Sequence, residues 1–238
     1  MLFDMHVHTS ESSCCGRLSG AEVAKLYKKA GYDGIVVTDH FMSYWFNYYN
    51  MSWKNYCKFH AQGYKSAKQM GDKIGLKVLY GCELRIDCTS PNDYLVYGMS
   101  NKFMVEHPEI LKFSVEQLVE FADKNGLLVY QAHPLRHGSV VVDYSKLFGV
   151  EVFNGKGYSG SGNDSQMNDI TNLIAERYSL HKISGSDFHD VNDLASGGLK
   201  FNCKIKDNNS LVEALKNDRY MLLANAGHCR LDVEQRNC

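Results

Sequence analysis

Apolar residues fall in short runs along this chain, and five of the runs end on a polar signature. Leu2-Phe3 leads to His6-Val7-His8, Ile35-Val36-Val37 to Thr38-Asp39-His40, and Val78-Leu79-Tyr80 to Gly81-Cys82-Glu83. Leu127 to Tyr130 leads to Gln131-Ala132-His133, and Lys182-Ile183-Ser184 to Ser186-Asp187-Phe188-His189. Runs this short, bounded by turn residues, predict buried strands. Between them the period lengthens to that of a helix. Ala21 to Ala30 has helical spacing, with Ser19 as N-cap, Glu22 completing a capping box and Gly31 as the stop. Further helices are predicted over 56–73, 115–124, 165–178 and 210–217, and further strands over 94–97, 150–153 and 220–223. Strand and helix alternate throughout, which predicts an α/β fold whose parallel sheet closes into a barrel. In such barrels the reactive side chains sit at the C-terminal ends of strands, where all five signatures fall.

Each signature carries side chains that bind divalent metal. Residues two apart on an extended segment share a face, so His6 and His8 can grip one ion, as can Asp187 and His189. Imidazole suits zinc, iron or manganese, and carboxylate can bridge two ions. One His-x-His pair is a weak signal, because such pairs arise by chance. Joined by an Asp-x-His pair and by His40, Glu83 and His133, it points to a multinuclear metallohydrolase. His60, His107, His137, His181 and His228 lack such context and read as ordinary surface or core residues.

The chain has 238 residues, enough for one domain with a substantial core, and a single domain over 1–238 is expected. A net charge of −1 gives no basic field for nucleic acid or anionic lipid, so nucleic acid is not expected beyond single nucleotides or short ends. No leader-like segment or membrane-spanning run is visible, and the eight cysteines show no framework spacing. A cytoplasmic protein with reduced thiols is expected, and its oligomeric state is not legible.

In order along the chain, Asp4-Met5-His6-Val7-His8-Thr9, Thr38-Asp39-His40, Ala132-His133-Pro134 and Gly185-Ser186-Asp187-Phe188-His189 resemble the four motifs of the PHP (polymerase and histidinol phosphatase) metal-dependent phosphoesterases. Glu83 stands where that family places a bridging carboxylate. The resemblance implies a distorted seven-stranded, TIM-like β/α barrel holding two or three metals. Carried onto this chain, His6, His8, Glu83 and Asp187 would bind a first ion. Glu83 would bridge to a second ion on His133, and His40 and His189 would bind a third. Two departures stand out. Where many relatives have a further His after the first motif, this chain has Cys14 and Cys15. Where the second ion often takes a His after the strand matching 94–97, the nearest residue is Ser100.

The chemistry this implies is hydrolysis of a small phosphate mono- or diester, with metal ions supplying hydroxide at neutral pH and clamping phosphoryl oxygens. Arg136 could neutralise those oxygens, with Lys156 as a second candidate. Asp39 could orient His40 or protonate the leaving oxygen, and orientation is the expectation. The aromatic run from Tyr44 to Trp53 could stack on a substrate ring or pack the top of the barrel, and both readings stand. Three rivals remain: an amidohydrolase-like C–N hydrolase, a nuclease acting on strand ends, and a metal-binding or sensing domain without catalysis. No lysine ends a central strand to supply the carbamylated bridge many amidohydrolases use.

Overall fold

The structure is a computed structural model that describes residues 1–86, 91–156, 165–226 and 229–230. The first half contains β1 (Leu2–Val7), α1 (Gly20–Lys29), β2 (Gly34–Val37), β3 (His40–Met42), α2 (Ser43–Tyr49), α3 (Trp53–Ile74), β4 (Lys77–Tyr80) and β5 (Cys82–Arg85). Next come β6 (Tyr94–Tyr97), α4 (Asn101–Glu106), α5 (Val115–Lys124), β7 (Leu128–Gln131), β8 (Gly149–Asn154), α6 (Ser165–Tyr178) and β9 (His181–Gly185). The last described elements are β10 (Gly197–Phe201), α7 (Asn208–Lys216), β11 (Tyr220–Ala226) and β12 (Cys229–Arg230). The helix start read from Ser19 is present: its side chain accepts from the Glu22 amide, and Glu22 reaches back to complete the capping box.

The described strands make two six-stranded sheets of mixed direction, not the single closed seven-stranded ring expected. One runs β12-β11-β10-β1-β2-β4 and the other β3-β5-β6-β7-β8-β9. The physical reason lies at Thr38-Asp39 and at Gly81. There two neighbouring parallel strands both stop and restart, so that β2 and β4 belong to the first sheet and β3 and β5 to the second. The sheets also touch where Val7 bridges Phe188, with His8 N donating to Phe188 O at 3.0 Å. Parallel pairing is likewise incomplete: β6 is antiparallel to both β5 and β7, and β10 to both β1 and β11. No described helix is long and apolar enough to cross a membrane.

Helix packing fixes the mouth of the first sheet. A Cβ on Gly20 of α1 would lie 2.3 Å from the Gly63 carbonyl, so the two helices meet at backbone distance. A Cβ on Gly63 of α3 would lie 1.7 Å from Thr9 Oγ1 and 2.6 Å from Asp39 Oδ2. Only glycine lets α3 approach that closely.

Candidate metal centre

The five signatures converge. β1 carries His6 in its buried interior and releases His8 just beyond its end, both fully buried. His40 opens β3 directly opposite Glu83 of β5, since the two are paired in register. His133 follows β7 and Asp187 follows β9, and both have left-handed backbones, with φ of 29° and 53°. Such conformations cost about 1–3 kcal/mol for non-glycine residues and persist where surrounding structure enforces them.

Glu83 sits at the centre. Its Oε1 is 2.9 Å from His133 Nε2, and its Oε2 is 2.8 Å from His40 Nδ1, 3.2 Å from His8 Nε2 and 3.5 Å from His6 Nε2. Despite these approaches, Glu83 Oε2 and His40 Nδ1 take part in no properly directed hydrogen bond. The Nε2 atoms of His6 and His8 lie 3.1 Å apart, and both face Asp187 Oδ1 at 3.3 and 3.2 Å. A buried carboxylate oxygen ringed by imidazole nitrogens, without a directed bond, is what a cation centre looks like from its ligands. Among the described residues, four groups of side chains have donor atoms close enough to share an ion: His6 with His8 and Asp187; His6 with Glu83 and His133; His40 with Glu83 and Asp93; and His8 with Cys15, His40 and His189.

The outer ring nitrogens are held as ligands require. His6 Nδ1 bonds Glu151 Oε1 at 2.9 Å, His8 Nδ1 meets Ser13 Oγ at 3.2 Å, and His189 Nδ1 meets the Asp187 carbonyl at 2.7 Å. Glu151 had no signature of its own. Its other oxygen accepts from the His133 amide at 2.9 Å and from Asn154 Nδ2 at 2.8 Å, tying β1, β7 and β8 together. The available signal was a carboxylate inside the apolar run Val150-Glu151-Val152-Phe153, a place where a charge needs partners.

Asp39 is placed differently from expectation. Its carboxylate accepts from Thr9 N at 2.7 Å, Thr9 Oγ1 at 2.6 Å and Ser13 Oγ at 2.8 Å, and it does not meet the His40 ring. With both oxygens engaged and the residue buried, it is not set to protonate a leaving group. Its link to the cluster runs through Ser13 Oγ, which meets His8 Nδ1 at 3.2 Å and accepts from the His40 amide at 2.9 Å. His60, read as an ordinary residue, is a core histidine joining Tyr80 OH and the Asp39 carbonyl at 2.8 Å each.

Over the cluster opens a cavity of about 660 Å³ whose wall includes Arg136, Lys156 and Arg17. Arg136 Nη2 bonds Asp93 Oδ2 at 2.8 Å, and Lys156 Nζ bonds Asp193 Oδ2 at 2.8 Å. Both cations thus face the cavity while held by a buried carboxylate. Asp93 also takes Arg85 through two bonds of 2.7 and 2.6 Å and lies 4.0 Å from His133 Nε2. Asp93 immediately precedes β6. Because β6 runs antiparallel, its beginning faces the site, and Ser100, beyond its far end, instead caps α4 by accepting from Phe103 N.

A model of the PHP domain matches residues 4–186. The chain belongs to the PHP domain family. The likeness extends to solved structures, where low identity shows the fold alone. A two-domain protein from Bacteroides vulgatus ATCC 8482, containing a predicted PHP-like metal-dependent phosphoesterase, aligns with a TM-score of 0.68 at 16% identity, over 94% of this chain and 65% of that one. A Bifidobacterium adolescentis ATCC 15703 protein proposed as a metal-dependent phosphoesterase aligns at 0.57 and 16%, over 90% of this chain and 95% of that one. In sequence, the chain is 26% identical over 148 residues, 62% of its length, to the PolC-type DNA polymerase III of Latilactobacillus sakei subsp. sakei (strain 23K), of which the match spans 9%.

Electrostatics in this PHP domain are set by the same side chains. Burial pushes the His6, His8 and His40 imidazoles down, yet facing carboxylates outweigh it: Asp187, Glu151 and Glu83 at His6, Asp187 and Glu83 at His8, Glu83 at His40. The result is above the ordinary range for all three, and about 9 for His8. Burial likewise opposes ionisation of Glu83 and Asp187, but the imidazoles around them hold both well below the usual carboxylate range. Cys15 follows suit: burial raises it, while bonds to His189 and His40 bring it down to about 5. Negative ligand atoms are therefore favoured here, and the imidazoles compete for them with any cation.

The aromatic run beside this centre of the PHP domain is packed in part and exposed in part. Phe46 packs inward on Trp53 and Tyr56, with ring centroids 5.8 and 5.4 Å away. Tyr44 is 63% exposed, and with Trp45 it lines a second hollow that adjoins Arg85 and Arg136.

Proposed function

We propose that this chain is a single-domain metal-dependent phosphoesterase acting on a small phosphate mono- or diester. The observation that carries the reading is Glu83: a buried carboxylate facing four imidazoles, beneath a cavity bordered by arginine and lysine. In this proposal His6, His8, Glu83 and Asp187 hold a first divalent ion and His133 with Glu83 a second, while His40 and His189 serve a third. Zinc, manganese and iron all suit such donors. When bound, the ions would lower the pKa of a water and neutralise phosphoryl oxygens.

The chain's own residues have separate duties. Arg136 would bind a phosphoryl oxygen with donors left beyond its Asp93 bond, and Lys156 would add charge from the lining of the same cavity. Glu151 and Ser13 fix the rings of His6 and His8, and Asp39 is a positioning residue acting through Ser13. Tyr44 and Trp45 offer faces on which a ring in the substrate could stack. The described cysteines are free thiols, which fits a reducing compartment such as the cytoplasm.

An amidohydrolase-like activity is the second reading. A Chromobacterium violaceum amidohydrolase with bound sulfate and no metal shares the fold, with a TM-score of 0.58 at 14% identity over 94% of this chain. Hydrolysis of an aryl phosphate with added manganese or zinc decides between them. The phosphoesterase reading expects turnover that His6→Ala reduces by at least about a hundredfold. Turnover of amides alone would favour C–N cleavage. Bound metal without turnover on a panel of phosphate esters would leave a sensing domain.

A further inference from the structure

The loop between β1 and α1 carries adjacent cysteines, and the fold separates their fates. Gly16 N donates to Ser13 O at 3.0 Å, closing a turn that holds Cys14 and Cys15, and Arg17 N donates to His189 O at 2.9 Å, so the end of that turn is anchored against the Asp187–His189 segment. A Cβ at Gly16 would lie 2.7 Å from the Thr9 carbonyl carbon and oxygen, so the turn closes only with glycine there. Cys15 therefore faces inward. Its sulfur and one ring nitrogen from each of His8, His40 and His189 all lie within 4.8 Å of one another. Cys14 is exposed and belongs to no such group among the described residues.

Of those three imidazoles His8 is already committed. Its Nδ1 meets Ser13, and its Nε2 lies 3.2 Å from both Glu83 Oε2 and Asp187 Oδ1. A ring nitrogen serves one ion, which leaves Cys15, His40 and His189 for another. His189 is oriented for this by its Nδ1 contact with the Asp187 carbonyl, at 2.7 Å.

We propose that Cys15, His40 and His189 form a mixed sulfur–nitrogen site that selects zinc and leaves a fourth position open to the cavity. Two physical arguments support the choice of metal. A thiolate is a soft ligand that favours zinc over manganese or magnesium, which prefer oxygen. Three protein ligands with one open position are the arrangement of zinc sites that act on substrates, whereas structural zinc sites are closed by four. All three side chains line the cavity bordered by Arg17 and Arg136, so the ligand chemistry suited to the open position is an anionic oxygen such as that of a phosphate ester. The assignment rests on the metal-binding part of the proposed function and not on hydrolysis.

Cobalt substitution tests it on the full chain. Cobalt(II) bound to a thiolate shows a near-ultraviolet charge-transfer band that oxygen and nitrogen ligands do not give. The expected result is a band in the native chain and in Cys14→Ser, and none in Cys15→Ser, which should also retain one zinc equivalent fewer after dialysis. Cys15→His should restore the zinc equivalent without the band, which separates loss of a ligand from loss of the fold. A band that persists in Cys15→Ser, or zinc content unchanged by that substitution, would overturn the proposal. A band that depends on Cys15 in a chain that hydrolyses no phosphate ester would uphold this site and sink the phosphoesterase reading.

Discussion

Glu151 and His60 illustrate how much of the centre depends on residues that touch no cavity. Glu151 bonds the His6 ring and the His133 amide at once, so Glu151→Gln should disturb two candidate ligands together. Loss of such an outer partner typically lowers metal affinity by about 10- to 100-fold. Zinc titration against a competing chelator should show a drop of that order, and an unchanged affinity would remove Glu151 from the account. His60 has a pH signature. Burial holds its pKa below the ordinary 6.5, so the fold keeps it neutral while the unfolded chain takes up a proton. Its contribution to stability is complete above pH 6.5 and is lost as pH falls from 6.5 toward the lower folded value. Urea unfolding of the native chain and of His60→Asn, at about pH 7.5 and about pH 5.5, should show the native chain losing more stability than the variant on acidification. At this scale the sequence was readable wherever a candidate ligand closed an apolar run, as Glu83 does. For Glu151 it offered only a carboxylate inside an apolar run, a weak signal because that residue sits mid-strand with no neighbouring signature.

Helix α3 sets the mouth of the first sheet through a single missing methyl group. Gly63→Ala should raise intrinsic helix propensity by about 1 kcal/mol. The new Cβ would nevertheless collide with Thr9 Oγ1 and Asp39 Oδ2, and overpacking of this kind costs about 1–3 kcal/mol. Chemical unfolding should therefore show a net loss of stability, accompanied by weaker metal binding as the Asp39–Ser13–His8 chain shifts. A gain in stability with unchanged metal affinity would contradict the packing described. Most elements were legible from pattern: α5 and α6 occupy the residues the helical period marks out, and β2, β4 and β6 those of the apolar runs. Those that escaped have physical reasons. β3 is three residues long, β10 begins with Gly197-Gly198, which have low strand propensity, and α2 is an aromatic-dense helix of seven residues. The direction of β6 escaped for the same kind of reason, since a buried apolar run does not say which way it points. That one inversion is why Asp93, and not a residue near Ser100, reaches the site.

The whole molecule gathers seven candidate ligands, from His6 to His189, where two sheets exchange strands. The alternation of strand and helix predicted the class of fold, and the polar signatures the residues that meet. It could not predict that the strands divide between two sheets, because that depends on breaks at Thr38-Asp39 and Gly81 that pattern alone does not reveal. The central claim is that these side chains exist to hold divalent ions around Glu83. Anomalous diffraction at the zinc and manganese absorption edges, from crystals grown with both metals, tests it most directly. At least two anomalous peaks about 2.0–2.3 Å from Glu83, Asp187 and the surrounding imidazole nitrogens are expected. Full metal supply with no peak beside Glu83 would contradict the account.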